Sequence, residues 1–194
     1  MRPDTSMASL ARLAPAFGPM GAQGYDDVML AARSELTAIE HIHTIAHCPP
    51  IADGAALVLL GSARAGAEAG LRPRAIIRAA TEASADPVLQ LTAGFAAMEA
   101  ALEETGLSLE DIDRIEFMEA FAATPVKFER DYAVDPARVN PEGGHLAMGH
   151  PMGASGAILL TTLLAGLERD GGRLGLAVLH GGSGVGAAII IERV

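Results

Sequence analysis

From residue 51 to the end of the chain, short aliphatic or β-branched runs alternate with segments whose apolar residues recur every three or four positions. That alternation confines the chain to layered α/β architectures, in which helices cover a sheet. Runs 55–60, 74–80, 114–118, 174–179 and 187–191 read as strands. Residues 63–70 read as a helix closed by Gly70, and Leu91, Phe95, Met98 and Leu102 share a helical face that Gly106 ends. Ser108 and Asp111 have the spacing of a capping box ahead of the strand at 114–118, and a helix is expected over 125–132. The strongest helical pattern is 154–169. There Ile158, Leu159, Thr162, Leu163 and Leu167 fall on overlapping faces, Gly171 follows, and burial on most sides is expected. The two final runs, joined by a glycine-rich turn, read as an antiparallel hairpin in a covered sheet.

Residues 1–50 carry no such period. Pro3, Pro15, Pro19, Gly18, Gly21 and Gly24 break them into short pieces that cannot build a core of their own. The expected organisation is therefore a connector over 1–50 and one domain over 51–194. With half of its 194 residues apolar, the chain can bury one sizeable core. No apolar run approaches the roughly 18–20 residues of a membrane span, and no signal-peptide pattern is visible, so a soluble, cytoplasmic chain is expected. The formal charge of −10, with Lys127 the single lysine, argues against a nucleic-acid partner. The lone cysteine, Cys48, has no intrachain disulfide partner.

Three segments carry chemistry. In 140–156 (Asn-Pro-Glu-Gly-Gly-His-Leu-Ala-Met-Gly-His-Pro-Met-Gly-Ala-Ser-Gly), glycines permit close backbone approach immediately before the long apolar helix. His150, between Gly149 and Pro151, reads either as a turn histidine or as a held hydrogen-bond donor and proton shuttle. In 179–186, His180 ends a strand and Gly181, Gly182, Gly184 and Gly186 leave its surroundings uncrowded. The histidine is a plausible base, although a tight turn already explains the glycines. Ser183 lies between two strands and lacks the strand-to-helix elbow of a serine nucleophile. In 116–122, Glu119 falls where a strand runs into a helix, placed to orient a histidine or meet helix-end amides. His41 and His43, spaced i, i+2 with no third ligand nearby, read as a surface pair, and no metal is expected.

Taken in order, these segments resemble the thiolase family. Its C-terminal half carries Asn-Glu-Ala-Phe, then Asn-x-x-Gly-Gly-x-x-x-x-Gly-His-Pro-x-Gly-x-Ser-Gly, then Cys-x-Gly-Gly-Gly-x-Gly. The middle motif matches closely from Asn140 to Gly156. Upstream, Arg2-Pro-Asp-Thr5 is similar to the family's Arg-Pro-x-Thr, and residues 51–56 to its Asn-Asp-Gly-Ala-Ala.

The resemblance implies a thiolase-like α/β/α half-fold, homo- or hetero-oligomeric assembly, and acyl-CoA as substrate with no permanently bound cofactor. It implies a 3-ketoacyl-CoA thiolysis or Claisen condensation site in which His150 activates a nucleophilic cysteine and contributes to an oxyanion site. That cysteine would lie on an N-terminal half or partner chain, so this chain alone is expected to be inactive. His180 stands where the family has its second catalytic cysteine, and a close pair of imidazoles is expected. Two histidines around a cysteine also resemble the ketoacyl synthases of the same superfamily. Met118 replaces an asparagine that helps place an oxyanion-binding water, and a thioether donates no hydrogen bond. Gly182 and Gly184 shape the same site, and Thr44 falls near a residue that touches CoA in the family. The other reading is a non-catalytic binding or stabilising subunit.

Overall fold

The computed structural model describes residues 4–194. Arg2 and Pro3 of the Arg-Pro-x-Thr similarity lie outside them. The helices are α1 (Met7–Leu10), α2 (Gly18–Met20), α3 (Asp26–Ala32), α4 (Ala63–Glu68), α5 (Ala93–Thr105), α6 (Ala123–Asp131), α7 (His145–Met148) and α8 (Ser155–Asp170). Four strands, β1 (Ala75–Ser84), β2 (Arg114–Phe117), β3 (Leu174–Gly181) and β4 (Val185–Arg193), form one sheet in the order β1-β4-β3-β2. β4 is antiparallel to both β1 and β3, while β2 runs parallel to β3. The sheet is mixed and flanked by helices. Among the described residues, no helix is long and apolar enough to cross a membrane.

Strand periodicity builds the two layers. From β3, Leu176 and Val178 point with Ile115, Phe117, Ala188 and Ile190 into a core under α5, where they meet Phe95, Met98 and Ala101. Ala177 and Ile191 point the other way, onto Leu159, Leu163 and Leu167 of α8. Gly106 and Gly171 end α5 and α8 at φ +67° and +75°, a left-handed stop that costs glycine little. The Ser108–Asp111 capping box forms as the spacing predicts.

Two expectations need correcting. α8 is not buried on most sides: Leu159, Leu163, Gly166 and Leu167 form one buried stripe, whereas Thr161 and Ala165 are exposed. The run 55–60 is not a strand, because among the described residues nothing pairs with its backbone. Leu57 is 94% exposed and Leu59 82%, so an apolar run with strand-like composition lies on the surface without a neighbour. A strand is defined by its partner, and none is present among the described residues.

Candidate active site

The 140–156 segment is fastened to the end of β2 by one side chain. Val139 bridges Ile115 in parallel, and the Asn140 amide N–H donates to the Ile115 carbonyl at 2.9 Å. The Asn140 side chain then continues the ladder: Oδ1 accepts from Phe117 N at 2.7 Å, and Nδ2 donates to Phe117 O and Glu119 Oε1, both at 2.9 Å. Asn140 adopts φ +44°, a left-handed conformation that asparagine tolerates better than most residues.

Glu119 takes up the next link. Its Oε2 accepts from the Leu146 amide at 3.1 Å, in the first turn of α7, where a carboxylate is favoured. The carboxylate packs directly against Gly144, whose missing Cβ leaves the space. A deeper cluster lies alongside. Arg114, buried on β2, pairs with buried Glu116 at 2.7 Å, with Asp170 of α8 at 3.2 Å, and with Glu142 of the loop. Burial raises the Glu116 carboxyl above its usual range even with Arg114 opposing.

These fastenings hold His150. Its amide donates to Pro50 O at 2.8 Å, its residue bridges Ile51 in parallel, and its Nδ1 lies 2.8 Å from Ser155 Oγ at the start of α8. Gly149, at φ +97°, lets the chain pass Ala52, whose Cβ would stand 2.8 Å from an added Cβ. With Ser155 donating, the Nε2 edge of His150 carries the hydrogen and can donate to an oxyanion. With Ser155 accepting, Nε2 is a free base. Half-burial depresses the ring's proton affinity, which favours its neutral form. His150 lines a cavity of about 1010 Å³, with Leu91, Met118, Phe121 and Leu179 supplying apolar wall.

His180 also borders this cavity, but its ring is elsewhere. Strand parity sends it with Leu176 and Val178 to the α5 face, where it packs between Phe95 and Phe117 at centroid distances of 4.7 and 4.8 Å. Gly94 makes the room: a Cβ there would stand 2.5 Å from His180 Nδ1. Both ring nitrogens are sealed and without a hydrogen-bond partner, and burial pushes the pKa down to about 4. Among the described residues no ring contact joins His180 to His150. His150's ring neighbour is instead His145, at 5.3 Å and 89°.

The remaining site residues divide. Met118 is buried at the cavity wall with its amide donating to Val178 O at 2.9 Å. Gly182 borders the cavity, while Gly184, at φ +76°, presses against the Ala85 backbone and accepts its amide at 2.8 Å. Thr44 is buried away from the cavity lining and caps the turn Ile45–His47, accepting from Ala46 N at 3.3 Å. His41 and His43 are half-buried instead of surface-exposed. His41 meets Asp26 at 3.0 Å, and His43 stands edge-on to His47. Asn140, Ser155, His145 and the Arg114 cluster were not singled out from sequence. For the two polar motif positions, Asn140 and Ser155, the motif itself was the signal.

The fold has a family counterpart. A family model described as "Thiolase, C-terminal domain" matches residues 71–193. The chain belongs to the thiolase family. It is 49% identical over 150 residues to the steroid 3-ketoacyl-CoA thiolase FadA6 of Mycobacterium tuberculosis, covering 77% of this chain and 37% of that protein. It is 36% identical over 196 residues to a beta-ketoadipyl-CoA thiolase of Pseudomonas knackmussii, covering 100% and 44%. The crystal structure of the Bacillus anthracis acetyl-CoA acetyltransferase superposes with a TM-score of 0.80 at 30% identity, over 100% of this chain and 44% of that one. The chain therefore spans less than half the length of these relatives.

Proposed function

We propose that the chain supplies the histidine side of an acyl-CoA acyl-transfer site, for thiolysis or Claisen condensation of a 3-ketoacyl-CoA. The carrying observation is His150, in hydrogen-bond contact with Ser155 and lining the apolar cavity, with burial favouring its neutral form. Such an imidazole can take the proton of an approaching thiol and then donate to a thioester oxyanion. The nucleophilic cysteine comes from the portion of the fold that this chain does not span, in the same polypeptide or a second one. Cys48 is a poor candidate, since burial raises its thiol pKa and its Sγ is turned to the Thr44 carbonyl at 3.5 Å. The exposed 55–60 run is where the missing portion would dock, and assembly into an oligomer follows from the same need for cover.

His180 acts as a second proton carrier in this scheme only from a rotamer turned out of the Phe95–Phe117 contact and into the cavity it borders. Two unpartnered nitrogens favour such a move, each costing about 1–3 kcal/mol where it lies. A non-catalytic subunit is the second reading, favoured by Met118, which offers no donor, and by the sealed His180 ring. Co-expression with a cysteine-bearing thiolase N-terminal half separates the two. Acetoacetyl-CoA thiolysis that falls at least about a hundredfold with His150→Ala supports the first. A complex that binds CoA and shows no turnover supports the second.

A further inference from the structure

His145 opens α7 and is 2% exposed, yet its Nδ1 is sealed from solvent without a hydrogen-bond partner. A buried imidazole with an open nitrogen costs stability that an apolar side chain of similar size would not. What the ring contacts is His150, perpendicular at 5.3 Å. The charged group nearest to it is Glu119, whose two oxygens are already engaged by Asn140 and Leu146, so that the carboxylate is fixed and does not bond the ring.

We propose that His145 is a positioning residue for His150: it seats the His150 ring edge-on and, with Glu119 behind it, ties the two rings into a pair that takes up one proton and not two. This rests on the reading of His150 as the base of the site. The elements in contact with His150 add no charge there, and the titratable groups that share its cavity are Glu82 and His180. The segment pairing with His150 brings Pro50, Ile51 and Ala52, none of which titrates, and α8 brings the hydroxyl of Ser155. Glu119 is the one carboxylate acting on His145, enough to balance one imidazolium. A second would stand about 5 Å from the first in a partly desolvated site, where like charges repel strongly. Burial and His150 both hold His145 toward its neutral form, in the direction the geometry requires.

In the reaction, the proton taken from a thiol onto His150 would then find a neutral ring beside it and a fixed carboxylate beyond. His150 would be ready to return that proton, because the pair does not charge further.

The test is titration of the imidazole nitrogens by NMR on the full chain, from roughly pH 8 to 5. Coupling predicts that across this range the wild-type rings share one step, His150 and His145 moving together and each completing only part of its full shift. In His145→Leu and His145→Phe the His150 signals complete the full shift in one step of their own. Independent single-step curves for both rings in the wild type overturn the proposal without any variant. So does a His150 curve left unchanged by both substitutions.

Activity of the complex with a cysteine-bearing half gives the second readout. His145→Leu should slow acylation on the order of tenfold with acyl-CoA binding unchanged, and His145→Phe, which keeps an edge-on ring, should recover most of it. Full acylation by His145→Leu overturns the positioning role. A wild-type complex with no acylation at any pH strikes the acyl-transfer reading instead, and the titration still decides the coupling.

Discussion

Replacing His180 with leucine should stabilise the chain, and by more at acid pH than at neutral pH. The folded ring titrates at about 4, whereas the unfolded ring titrates near 6.5. Between those values the unfolded state binds the extra proton, so stability is full above about pH 6.5 and is lost as pH falls toward about 4. Each unit is worth about 1.4 kcal/mol, so at pH 5 the wild type has lost about 2 kcal/mol through this one residue. His180→Leu removes that loss. At pH 7 two effects oppose: leucine relieves two unpartnered nitrogens, about 1–3 kcal/mol each, and gives up the contacts with Phe95 and Phe117, about 0.5–1.5 kcal/mol each. The comparison between pH values cancels both. Urea unfolding followed by far-UV circular dichroism, at fixed protein concentration, should show the variant's advantage growing by about 2 kcal/mol from pH 7 to 5. An advantage that stays constant or shrinks would mean that the ring is solvated in the folded state and refute the packing argument.

Three further outcomes follow from the site. Asn140→Ala loses the side-chain bonds to Phe117 and Glu119 and should cost about 3 kcal/mol, with faster hydrogen exchange at the Leu146 amide as the local sign. Gly166→Ala places a methyl 2.6 Å from Arg114 Nη1, displacing the guanidinium from Glu116, and thermal unfolding should show a loss of about 3 kcal/mol or more. The chain alone should self-associate in analytical ultracentrifugation, and charged substitutions at Leu57 and Leu59 should weaken that association, because the 55–60 run has no cover of its own.

Much of the fold was legible because the strands and helices announce themselves through period and punctuation. Gly106 and Gly171 stop their helices where the apolar pattern ends, and the Ser108–Asp111 box forms as spaced. The family motif located His150 because its pattern lies within residues 140–156, although the backbone that holds it, at Pro50 and Ile51, comes from far upstream. What failed depends on partners distant in sequence. Residues 55–60 have strand composition, but a strand needs a neighbouring edge, and no local pattern reports whether one is present. The face taken by His180 follows from its parity with Leu176 and Val178, and the room for its ring comes from Gly94, eighty-six positions away. The resemblance suggested a pair formed by His150 and His180, whereas the ring that touches His150 belongs to His145, which no spacing in the sequence singled out.

The central claim is that His150 serves a cysteine this chain does not itself provide. Intact-mass measurement of the chain with a cysteine-bearing N-terminal half, after incubation with acetyl-CoA, tests it most directly. The account predicts one acetyl group on the cysteine of the added half, none on Cys48, and loss of the adduct in His150→Ala. An acetyl group on Cys48, or an adduct on the added half that forms equally well with His150→Ala, would contradict it.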